Sequence, residues 1–209
     1  MWAIWPILSF TTFSDTLFPH TVSPVSDKKT IVKSSTLSPV AFAAVPQLTG
    51  SNDLTNANLW YPTSPQKHIV SRVNTYALSI PKLKISNALV TISGDDLEDS
   101  LVHYGGTGLP GQYGTGVIFG HSSLPQFYSP KNYESIFSLL PTLKVGDEIF
   151  LTYDGMEYVY AVYDMEVLDP TDLSVLEQQF DGSYITLVTC VPPGTTWKRL
   201  DVKAKLRSL

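Results

Sequence analysis

One cysteine, Cys190, stands in a chain of 209 residues. That excludes an intrachain disulfide and leaves a single thiol whose use or burial has to be explained. Charge is also scarce, at 16% of residues. Residues 1–66 carry three Lys and three Asp, whereas 67–209 carry 11 Lys and Arg against 16 Asp and Glu, so the net charge of −5 lies wholly in the second part. A mildly acidic domain without a basic stripe argues against nucleic acid as a partner. There is no βαβ rhythm, no internal repeat and no Rossmann or P-loop glycine pattern. No cluster of acidic or imidazole groups has metal-ligand spacing, so neither a metal nor another cofactor is expected.

A complete bilayer span of about 20 apolar residues is missing too. Residues 1–19 open with Met1–Phe10 (MWAIWPILSF), which is too short to cross and has no positive residue before it. Trp2 and Trp5 suit a membrane interface, and the stretch reads as a partial membrane anchor or an apolar tail. Residues 20–66 hold 5 Pro, 7 Ser and 6 Thr. Such a composition cannot bury enough surface to offset its ordering entropy, so it reads as a flexible stalk. The folded domain is expected over 67–209.

From Lys67 the texture becomes short strands and turns. Tyr184–Pro193 is a β-branched, aromatic run closed by two prolines that cannot continue a ladder. Trp197–Leu206 is a second strand-like segment, and Val117–Phe119 leads into Gly120-His121. Asp154-Gly155 predicts a two-residue hairpin between Glu148–Tyr153 and Glu157–Leu168. Short helices are expected from Asp96 to His103 (with Leu97, Leu101 and Val102 on one face), over Tyr133–Leu140 and over Thr171–Gln179. The sum is a mainly β, closed or nearly closed barrel with a few short helices.

Cys190, His121 and Arg199 each fall at a strand terminus. A thiolate is intrinsically nucleophilic, and a nearby imidazolium and guanidinium both stabilise it. Histidine moves protons to a leaving amine or from an incoming one. Arginine cannot do that, but its fork holds an oxygen on which negative charge develops. Together they suit acyl transfer through a thioester.

These residues carry a family resemblance. Thr186-Leu187-Val188-Thr189-Cys190 followed by Arg199 resembles the TLxTC…R signature of sortases. Ser79–Leu83, Gly105–Gly116 with Leu109-Pro110-Gly111, Val117–His121 and Leu143–Ile149 resemble the family's other segments in order, over roughly 72–207. The resemblance implies an eight-stranded sortase-type β-barrel and a bacterial cysteine transpeptidase (a thiol peptide hydrolase and acyl transferase). Its catalytic domain would be extracytoplasmic, tethered to the cell membrane through the N-terminus. It would cleave an LPxTG-like sorting signal of surface proteins and pass the acyl group to an amine of a peptidoglycan precursor or a pilin lysine. By position Cys190 is the nucleophile, His121 the general acid and base, and Arg199 the oxyanion and substrate clamp. Thr189, Leu173, Val175 and Leu176 are the substrate-binding candidates, the last three on the loop before the Cys190 strand. An anchor followed by a stalk is similar to the class D or E forms. Glu134, Glu157, Glu166, Asp172 and Asp181 are the acidic residues that calcium would draw on in some sortases.

Other readings stand beside this one. A lone cysteine at a strand end is, by base rate, more often a small buried hydrophobe. Arg199 could pair with Asp201, and Thr189 could be an ordinary strand residue. An L,D-transpeptidase is the enzyme rival, but that family has His two before Cys, where this chain has Val188. A catalytically silent surface-binding barrel is the non-enzymatic rival.

Overall fold

The computed structural model describes residues 54–68 and 72–208. The expected anchor over 1–19 lies outside the described residues, as does most of the expected stalk. Among the described residues no helix is long and apolar enough to cross a membrane.

Eight strands close into a barrel: β1 Thr75–Ile80, β2 Ile85–Ile92, β3 Leu101–His103, β4 Gly114–Phe119, β5 Glu148–Tyr153, β6 Met156–Leu168, β7 Ser183–Val191 and β8 Lys198–Ser208. Their order around the barrel is β1-β2-β3-β4-β7-β8-β6-β5. The β2–β3 and β4–β7 pairs are parallel and the others antiparallel. Closure removes every sheet edge, and Pro81 opens the 3-10 turn Pro81–Leu83 after β1. The Asp154-Gly155 hairpin forms as expected: Tyr153 pairs with Met156, and both turn residues have positive φ, 50° and 75°.

Alternation along the strands sorts the apolar residues into two cores. Ile118, Ile185, Leu187, Val191, Leu200, Val202 and Ala204 fill the barrel interior with Leu78, Ile80, Val90 and Leu151. Residues of the opposite parity, Val117 and Phe119 on β4 and Val188 and Cys190 on β7, form a second cluster outside the barrel wall. All nine residues of β7 are buried because both faces are covered, which is why its sequence reads as one continuous apolar run.

The second cluster corrects the expected boundary of the stalk. Residues 54–66 do not trail away as a spacer: Ala57, Trp60 and Tyr61 are buried in the cluster that contains Cys190. Backbone bonds from Ala57 N to Asp95 O (2.8 Å) and from Leu97 N to Thr55 O (2.9 Å) tie this strap to the β2–β3 connection. Tyr104 donates its hydroxyl to the Ser64 carbonyl.

The helical expectations shorten. Asp96–His103 is a turn followed by β3, and the Thr171–Gln179 stretch contains only the 3-10 turn Ser174–Leu176. Tyr133–Leu140 is a succession of turns ending at the 3-10 turn Leu140–Thr142.

Candidate active site

Strand register brings the three candidate residues together. Cys190 on β7 lies directly opposite Arg199 on β8 in the antiparallel ladder. The parallel β4–β7 pair aligns Phe119 with Val188, an offset of 69 residues (188 − 119). The same offset separates His121 from Cys190 (190 − 121). Continuing the β4 direction by two residues therefore sets His121 beside Cys190. Gly120 N still donates to Val188 O at 3.1 Å, so the alignment persists to that point. A Cβ on Gly120 would come within 2.5 Å of Leu101 Cδ2 and 2.6 Å of Phe137 Cδ2. Glycine lets this turn press against the core, and Phe137 N then bonds the His121 carbonyl at 3.0 Å.

Arg199 is 3% exposed and Cys190 4%. Arg199 Nη1 donates to Cys190 Sγ at 3.4 Å and lies the same distance from the carbonyls of Thr196 and Lys198. Its Nε is buried and has no acceptor among the described residues. The predicted alternative, an Arg199–Asp201 pair, does not form: the Asp201 carboxylate is fully buried with neither oxygen hydrogen-bonded to a described residue. Burial pushes the Asp201 carboxyl up to about 8, partly offset by Lys203.

Burial pushes the Cys190 thiol up as well, while the Arg199 guanidinium draws it down. Here desolvation wins. The cause is visible in the strap. Trp60 is 2% exposed, with the Arg199 guanidinium carbon 4.8 Å from its ring centroid and the His121 ring 6.2 Å away at 50°. Trp60 is fixed by its own indole N–H, which donates to Leu54 O at 2.8 Å. Next to it the Tyr61 phenol is pushed up by burial, then by Asp201.

The substrate-binding candidates divide. Thr189 is fully buried, on the strand face opposite to Cys190, and donates its hydroxyl to Gly120 O at 2.8 Å. It holds the turn that carries His121 and does not reach the cysteine's face. Val175 is buried in the cluster with Cys190, and Leu176 packs against it. Leu173 is 40% exposed. Leu173 and Val175 line a cleft of about 530 Å³ beside β6, β7 and β8.

Sequence reasoning missed Trp60, Tyr61 and Ser122. Ser122 donates to the Cys190 carbonyl at 2.6 Å, clamping the loop after His121 onto β7. Ser122 follows the histidine directly, which is its only signal. Trp60 and Tyr61 were hidden in a stretch whose average composition is that of a spacer. Among the described residues no group of three or more His, Cys, Asp or Glu side chains is placed to hold a metal ion.

A thiol, an imidazole and a guanidinium thus converge at one end of three adjacent strands under an aromatic cover. Residues 78–207 match the Sortase domain family model. Sortase D of Bacillus subtilis (strain 168) is 27% identical over 116 residues, covering 55% of this chain and 53% of that protein. Sortase A of Listeria monocytogenes is 38% identical over 64 residues, 31% of this chain and 28% of that one. The chain therefore spans about half the length, or less, of these curated relatives. Among solved structures, a sortase D5 transpeptidase of Clostridium perfringens superposes with a TM-score of 0.56 at 28% identity, over 68% of this chain and 83% of that one. A lid mutant of sortase A from Corynebacterium diphtheriae gives 0.57 at 30% identity, over 67% and 73%.

Proposed function

Since the chain belongs to the sortase family, we propose that it is a cysteine transpeptidase that cuts an LPxTG-like sorting signal and transfers the acyl part to an amine. The observation that carries the mechanism is the Arg199–Cys190 contact at 3.4 Å across neighbouring strands, with His121 two residues past the end of β4, whose register with β7 runs to Phe119–Val188.

The steps follow from the groups. Cys190 Sγ attacks the carbonyl of the signal's threonine, and its proton passes to His121. As the tetrahedral oxygen becomes negative, the unengaged Arg199 Nε–H and the fork it belongs to supply donors. The Thr–Gly bond breaks, His121 gives its proton to the departing glycine amine, and a thioester remains. An incoming amine attacks that carbonyl, loses a proton to His121, and the C–S bond breaks to restore the thiol. In the described arrangement Trp60 is buried in the same cluster as Cys190 with Arg199 against its ring, so substrate has to displace it or enter beside it.

The acceptor is read as a peptidoglycan-precursor or pilin-lysine amine. The setting is read as the outer face of a bacterial cell membrane, with residues 1–19 as the tether; the family supports both. Intact mass of the full chain after incubation with LPxTG and LAxTG peptides is the test. A gain on Cys190 equal to the acyl fragment supports the reading, and its absence with every peptide sinks it. The silent-barrel alternative then gains ground.

A further inference from the structure

Asp201 is an acid buried without a partner. Along β8, Leu200, Val202 and Ala204 enter the barrel core, so Arg199, Asp201 and Lys203 share the opposite face. Asp201 stands opposite Val188 on β7 and Glu166 on β6, two residues from the Cys190–Arg199 pair. It is fully buried, and neither oxygen has a hydrogen-bond partner among the described residues. Burying an acid in that condition costs stability, which calls for a reason.

The two cations that flank it differ. Lys203 is taken, with Nζ 2.6 Å from Glu166 and 3.8 Å from Asp164. Arg199 has no carboxylate at ion-pair distance among the described residues. Its Nη1 reaches three acceptors, all at 3.4 Å, and its guanidinium rests against the Trp60 ring. Each of the two residues therefore lacks what the other carries. Alternate residues of a strand are about 7 Å apart, within the combined reach of these side chains. The strap occupies both of them. Trp60 holds the guanidinium, and Asp201 is, after burial itself, the largest influence on the Tyr61 phenol, whose buried Oη also has no described partner.

We propose that Asp201 is a positioning residue for Arg199, and that the two pair when substrate displaces Trp60 and Tyr61. Water then reaches Asp201, which ionises between Arg199 and Lys203 on its own strand, with Glu166 on β6 and Asp172 on the loop before β7 as its acidic neighbours. A guanidinium carries five N–H donors. With Nη1 at Cys190 and Nε–H kept for the developing oxyanion, the Nη2 edge is the one left for Asp201. A charge-assisted bond there fixes the plane of the fork, so its donors meet the oxyanion without reorganising. This rests on the transpeptidase reading, so one readout of the test does not involve turnover.

Two measurements on the full chain are made. The first is acylation of Cys190 by an LPxTG peptide. Asp201→Asn should lower kcat about tenfold with KM within about twofold. Its urea midpoint at pH 8 should nevertheless rise, because the resting fold loses an unpaired acid. A fall in both, an unchanged kcat, or a KM rise at unchanged kcat overturns the assignment. The second is a double-mutant cycle in urea between Asp201→Asn and Arg199→Met, run in the natural chain and in Trp60→Leu, which keeps apolar bulk and removes the π face. Coupling between positions 199 and 201 should change the unfolding constant about tenfold in Trp60→Leu and at most about twofold in the natural chain. Equal coupling in the two backgrounds, or none in Trp60→Leu, overturns the proposal. If circular dichroism shows that Trp60→Leu does not fold, the cycle is run on Cys190→Ala saturated with the peptide, under the same criteria. Coupling in Trp60→Leu without any acylation by the natural chain would retain the Arg199–Asp201 pair and overturn the transpeptidase reading.

Discussion

The guanidinium carbon of Arg199 lies 4.8 Å from the centroid of the Trp60 ring. That contact joins the strap to the site. The cation sits on a π face, an arrangement worth about 0.5–2 kcal/mol, and the indole shares the buried cluster that holds Cys190. Trp60→Ala removes both effects. Alkylation of Cys190 by iodoacetamide at neutral pH should then rise about tenfold or more, because exposure lowers the desolvation that holds the thiol protonated. The rate is read from intact mass against time, with circular dichroism to check that the barrel persists. An unchanged rate would show that the indole does not govern access.

Arg199→Lys keeps the charge and removes the fork. Arg199 reaches Cys190 through Nη1 while Nε stays unengaged, so the two ends of one planar group serve two purposes. A lysine ammonium cannot fill both positions. Acylation by a sorting peptide should fall at least about 10²-fold, with the melting temperature little changed. A rate near that of the natural chain would reassign Arg199 to a structural role.

What could be read from sequence was what repeats with a strand's period or rests on a turn's chemistry. Tyr184–Pro193 became β7, Asp154-Gly155 became the hairpin, and Cys190 and Arg199 face each other across β7 and β8. The misses share a cause in tertiary context. Leu97, Leu101 and Val102 have helical spacing, yet Leu101 enters the barrel core and Val102 the outer cluster, on the two faces of a three-residue strand. A parallel neighbour on one side and an antiparallel one on the other impose that state. In the strap, three buried residues among Asn, Thr, Pro and Ser are enough to dock 54–66, since the barrel supplies the rest of the contact. No local pattern signals a surface found elsewhere in the chain.

Two buried titratable groups should give stability opposite slopes with pH. His103 is buried, with Nδ1 2.8 Å from Tyr76 Oη and Nε2 3.1 Å from Thr107 Oγ1. Burial lowers it from 6.5 to about 4. The fold holds its neutral form, so this stabilisation is complete above pH 6.5 and lost as pH falls through 4, about 3 kcal/mol in all at about 1.4 kcal/mol per unit. Asp201 is raised from 3.8 to about 8, chiefly by burial, so its contribution is complete below 3.8 and lost as pH rises through 8. Between pH 4 and 6.5 the two slopes oppose each other, so urea midpoints of the natural chain should stay nearly level there and fall between pH 6.5 and 8. Asp201→Asn should flatten the loss above pH 6.5 and uncover a fall below it that belongs to His103. A variant that keeps the alkaline slope would show that Asp201 is paired in solution.

Thr189 offers a case where two roles predict different kinetics. Its hydroxyl donates to Gly120 O at 2.8 Å from a fully buried site, one residue before the histidine. Thr189→Val preserves volume but leaves that carbonyl unsatisfied, at a cost of about 1–3 kcal/mol. The turn carrying His121 would then shift. A positioning residue should show this as a kcat lowered about tenfold, with KM within about twofold, alongside a lower melting temperature. Thr189→Ser restores the donor and should recover most of the rate. A residue that touched substrate would raise KM, and serine would rescue that only if the methyl were idle. A KM rise in Thr189→Val at unchanged melting temperature would therefore return Thr189 to the substrate-binding set, against its placement on the strand face opposite to Cys190.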